Sequence, residues 1–161
     1  MTTTPRNHTT VARRRSERGA ALVELAVALP LLLVIMVGTI DFGRAFRTAM
    51  IVTNAARAGA QFGSQNPVNA TNTSGMITAA NAVLSANGLS SGLATTAATL
   101  CQCANNAGTF TNAANCSDPC TGGHLVVSVI VTATRTFSLI QPFPGIPSSV
   151  TITRGATARA Q

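Results

Sequence analysis

The sequence predicts an α+β protein with a long N-terminal transmembrane helix, which continues into a small exported domain holding a second short helix and an antiparallel sheet. A charged block ends at Gly19, and the next 21 residues, 20–40, are almost wholly apolar. Helical spacing of small and apolar residues then continues, and strand-like alternation follows at 125–139 and 150–158. Because helix and strand patterns occupy separate parts of the chain, they favour the α+β class over alternating βαβ units.

The apolar run is long enough to span a membrane. At about 1.5 Å per residue its helix covers roughly 30 Å, the thickness of a bilayer's hydrocarbon core. A cluster of arginines precedes the run, so we expect the N-terminus in the cytoplasm and the rest of the chain on the exported side. The arginines of this topology signal are Arg13, Arg14, Arg15 and Arg18.

Two simpler kinds of apolar segment compete with a processed membrane helix. A secretory signal peptide has an apolar region of about 7–15 residues and a small-x-small cleavage site, whereas this run is longer and carries Glu24. An uncleaved anchor is the second alternative. A carboxylate inside a membrane segment costs a few kcal/mol and indicates function, unless it lies at the edge and snorkels to the headgroups. An anchor gains nothing from an acid, so Glu24 favours a functional segment.

The chain divides into three predicted parts. Residues 1–19 form a basic cytoplasmic leader that we expect to be cleaved, and its polar start, Met1–Thr10, is predicted to be disordered. Residues 20–40 form the transmembrane helix. Residues 41–161 form the exported α+β domain, in which 101–120 is a cysteine-rich loop.

The first helix is predicted to run from near Ala20 well past the membrane, and Gly63 and Pro67 should end it. One face of its later part recurs at helical spacing. That face consists of Phe42, Phe46, Ala49, Thr53, Ala56 and Ala60. Its mostly small residues permit close helix packing, against either the protein's own sheet or a neighbouring helix.

A polar loop is predicted over 64–74, followed by a short helix over 75–87. Ser74 is the candidate N-cap of this helix, and Gly88 its stop. Residues 93–100 are a candidate strand, although alanine and threonine make the pattern weak.

The clearest strand pattern is 125–139, where apolar and hydroxyl residues alternate. The predicted inward face is Leu125, Val127, Val129, Val131, Ala133, Phe137 and Leu139. Three prolines at 141–147 should interrupt any strand. The alternation returns at 150–158, with Val150, Ile152, Ala156 and Ala158 on one side. These two strands should form a hairpin-like pair that packs on the first helix.

The cysteines Cys101, Cys103, Cys116 and Cys120 all lie in the one polar loop. If this loop is exported, disulfides persist there and replace a missing core. A bond between Cys101 and Cys103 is disfavoured, on the argument that neighbouring strand-like positions point their side chains apart. Two pairings remain: Cys101 with Cys116 and Cys103 with Cys120, or the crossed alternative. The spacing is unusual for zinc, so no metal site is expected, although His124 lies nearby.

Composition excludes several functions. The net charge is +7, but five of the 11 arginines lie in the leader, and all six aromatic residues are phenylalanine. There is no stacking platform for bases, so no nucleic-acid partner is expected. His8 and His124 are expected to be solvated, and only three carboxylates remain beyond residue 19. No phosphate-binding or nucleophile motif is present, so the sequence predicts neither an enzyme nor a cofactor.

Two segments resemble a known family. The stretch from Arg18 to Pro30, RGAALVELAVALP, resembles the start of TadE-like pseudopilins of the Tad/Flp type IV pilus systems. The run from Thr53 to Ala60, TNAARAGA, is similar to that family's segment just past the membrane helix. The resemblance covers about Arg13 to Phe62.

The resemblance implies a pilin-like fold and a minor pilin that takes part in assembling a surface pilus for adhesion and colonisation. It implies cleavage between Gly19 and Ala20 by a prepilin peptidase, and neutralisation of a neighbour's new α-amine by Glu24. Its implied partners are the membrane, that peptidase, the assembly platform of the bacterial inner membrane, and other pilin subunits. The alternative is an uncleaved single-pass protein with an exported ligand-binding domain.

Overall fold

The computed structural model describes residues 9–113, 115–141, 145 and 147–160, with side chains from residue 19 onward. It has the predicted α+β architecture. The elements are α1 Thr9–Ser64, α2 Pro67–Thr71, α3 Thr73–Ala86, β1 Leu93–Asn105, β2 Phe110–Asn112, β3 Gly123–Ser138 and β4 Ser149–Arg159. Contacts between Cα atoms divide the chain into two compact units, Met1–Phe42 and Gly43–Gln161.

Helix α1 begins earlier than the sequence suggested. It starts at Thr9 rather than near Ala20 and continues without interruption through Pro30 to Ser64. Arginine, alanine and glutamate in the basic block are good helix formers, which accounts for the earlier start. The predicted disorder is therefore wrong for residues 9–10, and residues 1–8 lie outside the described chain. The predicted end between Gly63 and Pro67 is confirmed.

Only part of the predicted packing face of α1 packs inside the domain. Ala56 and Ala60 are buried as expected, but Phe42 is 74% exposed and Phe46 59%. The core instead receives Ile51, Val52 and Ala55 together with Ala56 and Ala60. An alanine-rich helix presents two overlapping candidate stripes, and the branched Ile51 and Val52 determine which one packs on the protein's own sheet.

Two glycines let α1 approach its partners closely. A Cβ built on Gly59 would lie 2.8 Å from the Met76 carbonyl oxygen and 2.9 Å from Cγ1 of Val131. A Cβ on Gly63 would lie 2.6 Å from Sδ of Met76 and 3.1 Å from Cγ1 of Val129. Glycine is therefore the residue that permits this contact of α1 with α3 and β3.

Asparagine caps replace the predicted loop and serine cap. The Asn66 side chain accepts a 2.8 Å hydrogen bond from the Asn69 N–H and starts α2, with Pro67 at its first turn. The Asn72 side chain accepts a 2.8 Å bond from the Gly75 N–H and starts α3. The loop predicted over 64–74 and the Ser74 cap are therefore wrong, because asparagine caps helices as well as serine does.

The four strands of the described chain form one antiparallel sheet with the order β2-β1-β3-β4. β1 pairs with β3 from Leu93↔Arg135 to Asn105↔Gly123. β3 pairs with β4 from Ser128↔Arg159 to Ser138↔Ser149, which confirms the predicted pair. β1 is longer than predicted, because it continues through the first two cysteines and is paired along its whole length.

The core lies between this sheet and the helices α1 and α3. Val129, Val131, Ala133 and Phe137 of β3 are buried, as the alternation predicted. Met76, Ala80 and Leu84 of α3 complete the layer. Gly88 adopts a φ of 74° just after the Asn87 cap, so the predicted stop of this helix is confirmed.

Candidate functional site

The predicted processing residues lie on an exposed part of α1. Gly19, Ala20 and Glu24 are all solvent-exposed, and a Cβ built on Gly19 would meet no atom within 4 Å. The helix continues through the bond between Gly19 and Ala20. The arginines of the topology signal lie in the helical stretch before Gly19, where only the backbone is described.

α1 carries the only described stretch that is long and apolar enough to cross a membrane, Gly19–Ser64. None of its most apolar part is buried in the protein. Large apolar side chains are exposed along it, including Leu22, Val27, Leu31 and Ile35 at 57–75%. A soluble core helix would bury such a surface, so this helix fits a single-pass membrane protein.

Two cysteines of β1 each form a disulfide with a cysteine of the following loop. Cys101 pairs with Cys116 and Cys103 with Cys120, at Cα–Cα distances of 5.2 and 5.4 Å. Cys101 and Cys103 are two positions apart on one strand and so lie on the same side of it. The sequence argument that placed these two side chains on opposite sides was wrong, although the pairing found is one of the two that it left open.

Polar side chains organise the rest of this loop. The Asn105 side chain accepts hydrogen bonds from the N–H groups of Ala107 and Thr109, at 3.1 and 2.8 Å. The Asp118 carboxylate accepts a 2.8 Å bond from the Asn115 N–H. Asp118 therefore has a structural role in the turn, and His124 is exposed.

A cavity of about 270 Å³ brings Arg135 together with Arg44 and Arg47, from which it is distant in the sequence. Arg44 and Arg47 reach it from α1, Arg135 from β3, and the chain after α3 supplies Gly88. The Arg44 guanidinium lies 5.2 Å from the ring centroid of Phe137. This basic cavity was not predicted.

A second, more open cavity of about 350 Å³ lies between α1 and the edge strand β4. Phe46, Met50, Thr53 and Arg57 line it from α1, and Arg154 from β4. Part of the helix face that was predicted to pack on the sheet or on a neighbouring helix, including Phe46 and Thr53, therefore lines this groove.

The two strand arginines, Arg135 and Arg154, each interrupt the alternation of apolar residues along their strand. Arg135 occupies an inward position between Ala133 and Phe137, and Arg154 one between Ile152 and Ala156. The register of β3 and β4 places both arginines on the same face of the sheet as these apolar residues, since Arg135 pairs with Ile152 and Arg154 with Ala133. An arginine at an inward strand position is the signal that could have located both cavities.

Among the described residues, no group of three or more histidine, cysteine, aspartate or glutamate side chains could hold a metal ion. The described buried side-chain nitrogen and oxygen atoms all have hydrogen-bond partners. The features that stand out are therefore the exposed apolar helix, the disulfide-linked loop and the arginine cavity.

These features fit one class of protein, a single-pass membrane protein with a folded domain that carries two disulfides. The family model of TadE-like proteins matches residues 19–61, which confirms the family resemblance over that segment. Neither the curated proteins nor the solved structures give a match to this chain. The match implies a protein associated with the Tad pilus, and TadE-like pilus proteins are structural proteins rather than enzymes.

Proposed function

We propose that this protein is a minor pilin, or pseudopilin, that takes part in assembling a Tad/Flp-type surface pilus. It enters the bacterial inner membrane with its N-terminus in the cytoplasm, and a prepilin peptidase cuts it between Gly19 and Ala20. The observation that supports this proposal best is the exposed apolar stretch of α1, which lies within the family match at 19–61 and continues along the same helix to Ser64.

Cleavage after Gly19 would create a charged group that can take part in assembly. Cutting after Gly19 would free an α-amine at Ala20, and Glu24 would be the fifth residue of the cleaved chain. In a low-dielectric assembly, an amine and a carboxylate on neighbouring subunits attract several-fold more strongly than in water. Glu24 is exposed on the single helix, so it is available to a neighbour. The proposed partners are other pilin subunits and the inner-membrane assembly platform.

The direct test is the N-terminus of the protein extracted from membranes of cells that contain an active prepilin peptidase. Mass spectrometry should find a chain that begins at Ala20, with or without an N-methyl group. A control without the peptidase should retain the leader. An intact leader in the presence of the active enzyme would contradict the processing proposal and favour the uncleaved protein with a ligand-binding domain.

A further inference from the structure

We propose that the apolar end of the β3–β4 hairpin inserts into the headgroup region of the membrane that α1 crosses, beside the place where α1 leaves it. This hairpin end consists of Leu139, Ile140 and Val150. The inference rests on the membrane insertion of α1 in the proposed function, and it does not depend on cleavage after Gly19 or on pilus assembly.

The hairpin end presents apolar side chains to solvent on an ordered backbone. Ile140 is 58% exposed and Val150 48%. The Leu139 N–H donates a 3.0 Å hydrogen bond to the Ser148 carbonyl oxygen, which continues the pairing of β3 and β4 up to their connection. In the sequence, no charged residue occurs from 136 to 153. Exposed apolar residues without charges among them can enter the interfacial region of a bilayer without taking an ion out of water.

β3 runs beside the domain part of α1 in the opposite chain direction. A Cβ built on Gly63 would lie 3.1 Å from Cγ1 of Val129, and the Arg44 guanidinium lies 5.2 Å from the ring centroid of Phe137. Between these two contacts α1 covers roughly 28 Å and β3 roughly 26 Å. The two elements are therefore almost aligned, and the end of β3 lies beside the beginning of the domain part of α1.

This alignment brings the hairpin end to the level of the lipid headgroups. Arg44 follows Ile40, the last residue of the apolar run, by four positions on the same helix. That is roughly 6 Å, and the headgroup layer on one side of a bilayer is roughly 5–8 Å thick. Ile140 lies three residues beyond Phe137, which extends the strand by roughly 10 Å. The reach is sufficient to bring Ile140 to the boundary between headgroups and acyl chains.

A bilayer fits this surface better than another protein chain does. Two half-exposed aliphatic side chains supply far less than the roughly 800 Å² per partner that a specific protein interface buries. A bilayer needs no such area, because α1 already attaches the chain to it. Insertion of the hairpin end then costs little further translational or rotational entropy. The hairpin would give the domain a second contact with the membrane besides α1.

The test places a single tryptophan at the hairpin end. The chain has no tryptophan or tyrosine, so the fluorescence comes from the introduced residue. The full chain with Ile140→Trp is reconstituted in phosphatidylcholine vesicles, with or without bromine on the acyl chains near the headgroups. Bromine quenches tryptophan only at close range. Emission should fall at least about twofold in the brominated vesicles, because the side chain would lie at the interface.

Phe110→Trp is the matched control for this measurement. Phe110 is 55% exposed, almost the same as Ile140, and lies at the other end of the sheet. It pairs with Ala104, which pairs with His124, roughly 40 Å along β3 from Phe137. Its emission should be nearly the same in both kinds of vesicle. Equal quenching of the two variants would overturn the proposal, because lipid would then contact any exposed tryptophan.

Two further tryptophan variants decide the remaining outcomes. Ile35→Trp, in the apolar run, should be quenched strongly. If it is not, α1 is not inserted, and the proposal fails together with the membrane assignment. Val150→Trp is the second hairpin position if Ile140→Trp does not fold, and it should be quenched less because Val150 pairs with Phe137. Quenching of Ile35→Trp with none at either hairpin position would show that the hairpin end does not contact lipid, and would overturn this proposal alone.

Discussion

Gly19 is a residue at which α1 can open at a low cost in free energy. Glycine costs a helix about 1 kcal/mol relative to alanine, because it loses more backbone entropy on ordering. The proposed scissile bond lies inside a continuous helix, and a protease must bind a locally extended backbone to cut it. Glycine at this position therefore lowers the cost of unwinding at the place where the cut is proposed.

Gly19→Ala should slow removal of the leader, because a Cβ there stabilises the helix that has to open. Gly38→Ala is the matched control, since it makes the same change in the same helix, and neither Cβ would meet another atom within 4 Å. Pulse-labelled cells expressing the peptidase would show the rate of leader loss by gel shift. Equal rates for the two variants would contradict this role of Gly19.

Glu24→Gln should leave cleavage intact and reduce incorporation of the subunit into pili several-fold. The amide keeps the shape of the side chain but removes the charge that would neutralise a neighbour's amine. Glu24→Asp should recover part of the assembly, because it keeps the charge. Immunoblots of sheared pili and of membranes measure incorporation, and normal incorporation of the glutamine variant would rule out neutralisation.

At the scale of elements, the contact between α1 and α3 depends on space that only glycine leaves. Gly59→Ala would place a Cβ within 2.8 Å of the Met76 carbonyl oxygen. We expect overpacking of about 1–3 kcal/mol, offset partly by the better helix propensity of alanine. The thermal midpoint of the domain's circular dichroism signal should therefore fall by several degrees.

Gly43→Ala provides the control for this prediction. It lies on the same helix, where a Cβ meets nothing within 4 Å, so only the propensity gain should act. Its midpoint should stay constant or rise slightly. A fall of similar size in both variants would show that the loss does not come from the contact with α3.

The disulfides hold the loop between β1 and β3 to the sheet. Each closes a loop with a sequence separation of 15 or 17 residues, which corresponds to about 3 kcal/mol in the chain-entropy estimate. Replacing Cys103 and Cys120 by alanine should lower the free energy of unfolding by about 2–4 kcal/mol. Urea unfolding measures this loss, and adding a reductant should then destabilise the variant less than the wild type.

At the scale of the whole molecule, the strongest sequence signals predicted the fold well. The long apolar run, the alternation over 125–139 and its return at 150–158 correspond to α1, β3 and β4. The sequence left open which face of α1 packs on the protein's own sheet. Alanine is frequent on several sides of this helix, so periodicity alone could not choose the stripe, and packing against Val129 and Val131 of β3 decided it.

The candidate sites also differ in how far the sequence could predict them. Gly19 and Glu24 could be proposed from the sequence because they belong to one contiguous motif, whereas the arginine cavity joins Arg47 to Arg135 across the domain. No local pattern specifies such a meeting. The sequence does mark Arg135, because it interrupts the apolar face of its strand. Which residues it meets in the cavity depends on how β3 packs beside α1.

The placement of Cys101 and Cys103 on one side of β1 also gives the chain a covalent check on its own folding. A slip of one residue between β1 and β3 would turn both thiols to the opposite face, away from Cys116 and Cys120. A misaligned molecule would then keep reactive thiols, while a correctly aligned one has none left to react. Thiol-labelling reagents could therefore sort well-folded subunits from defective ones before any fibre is built.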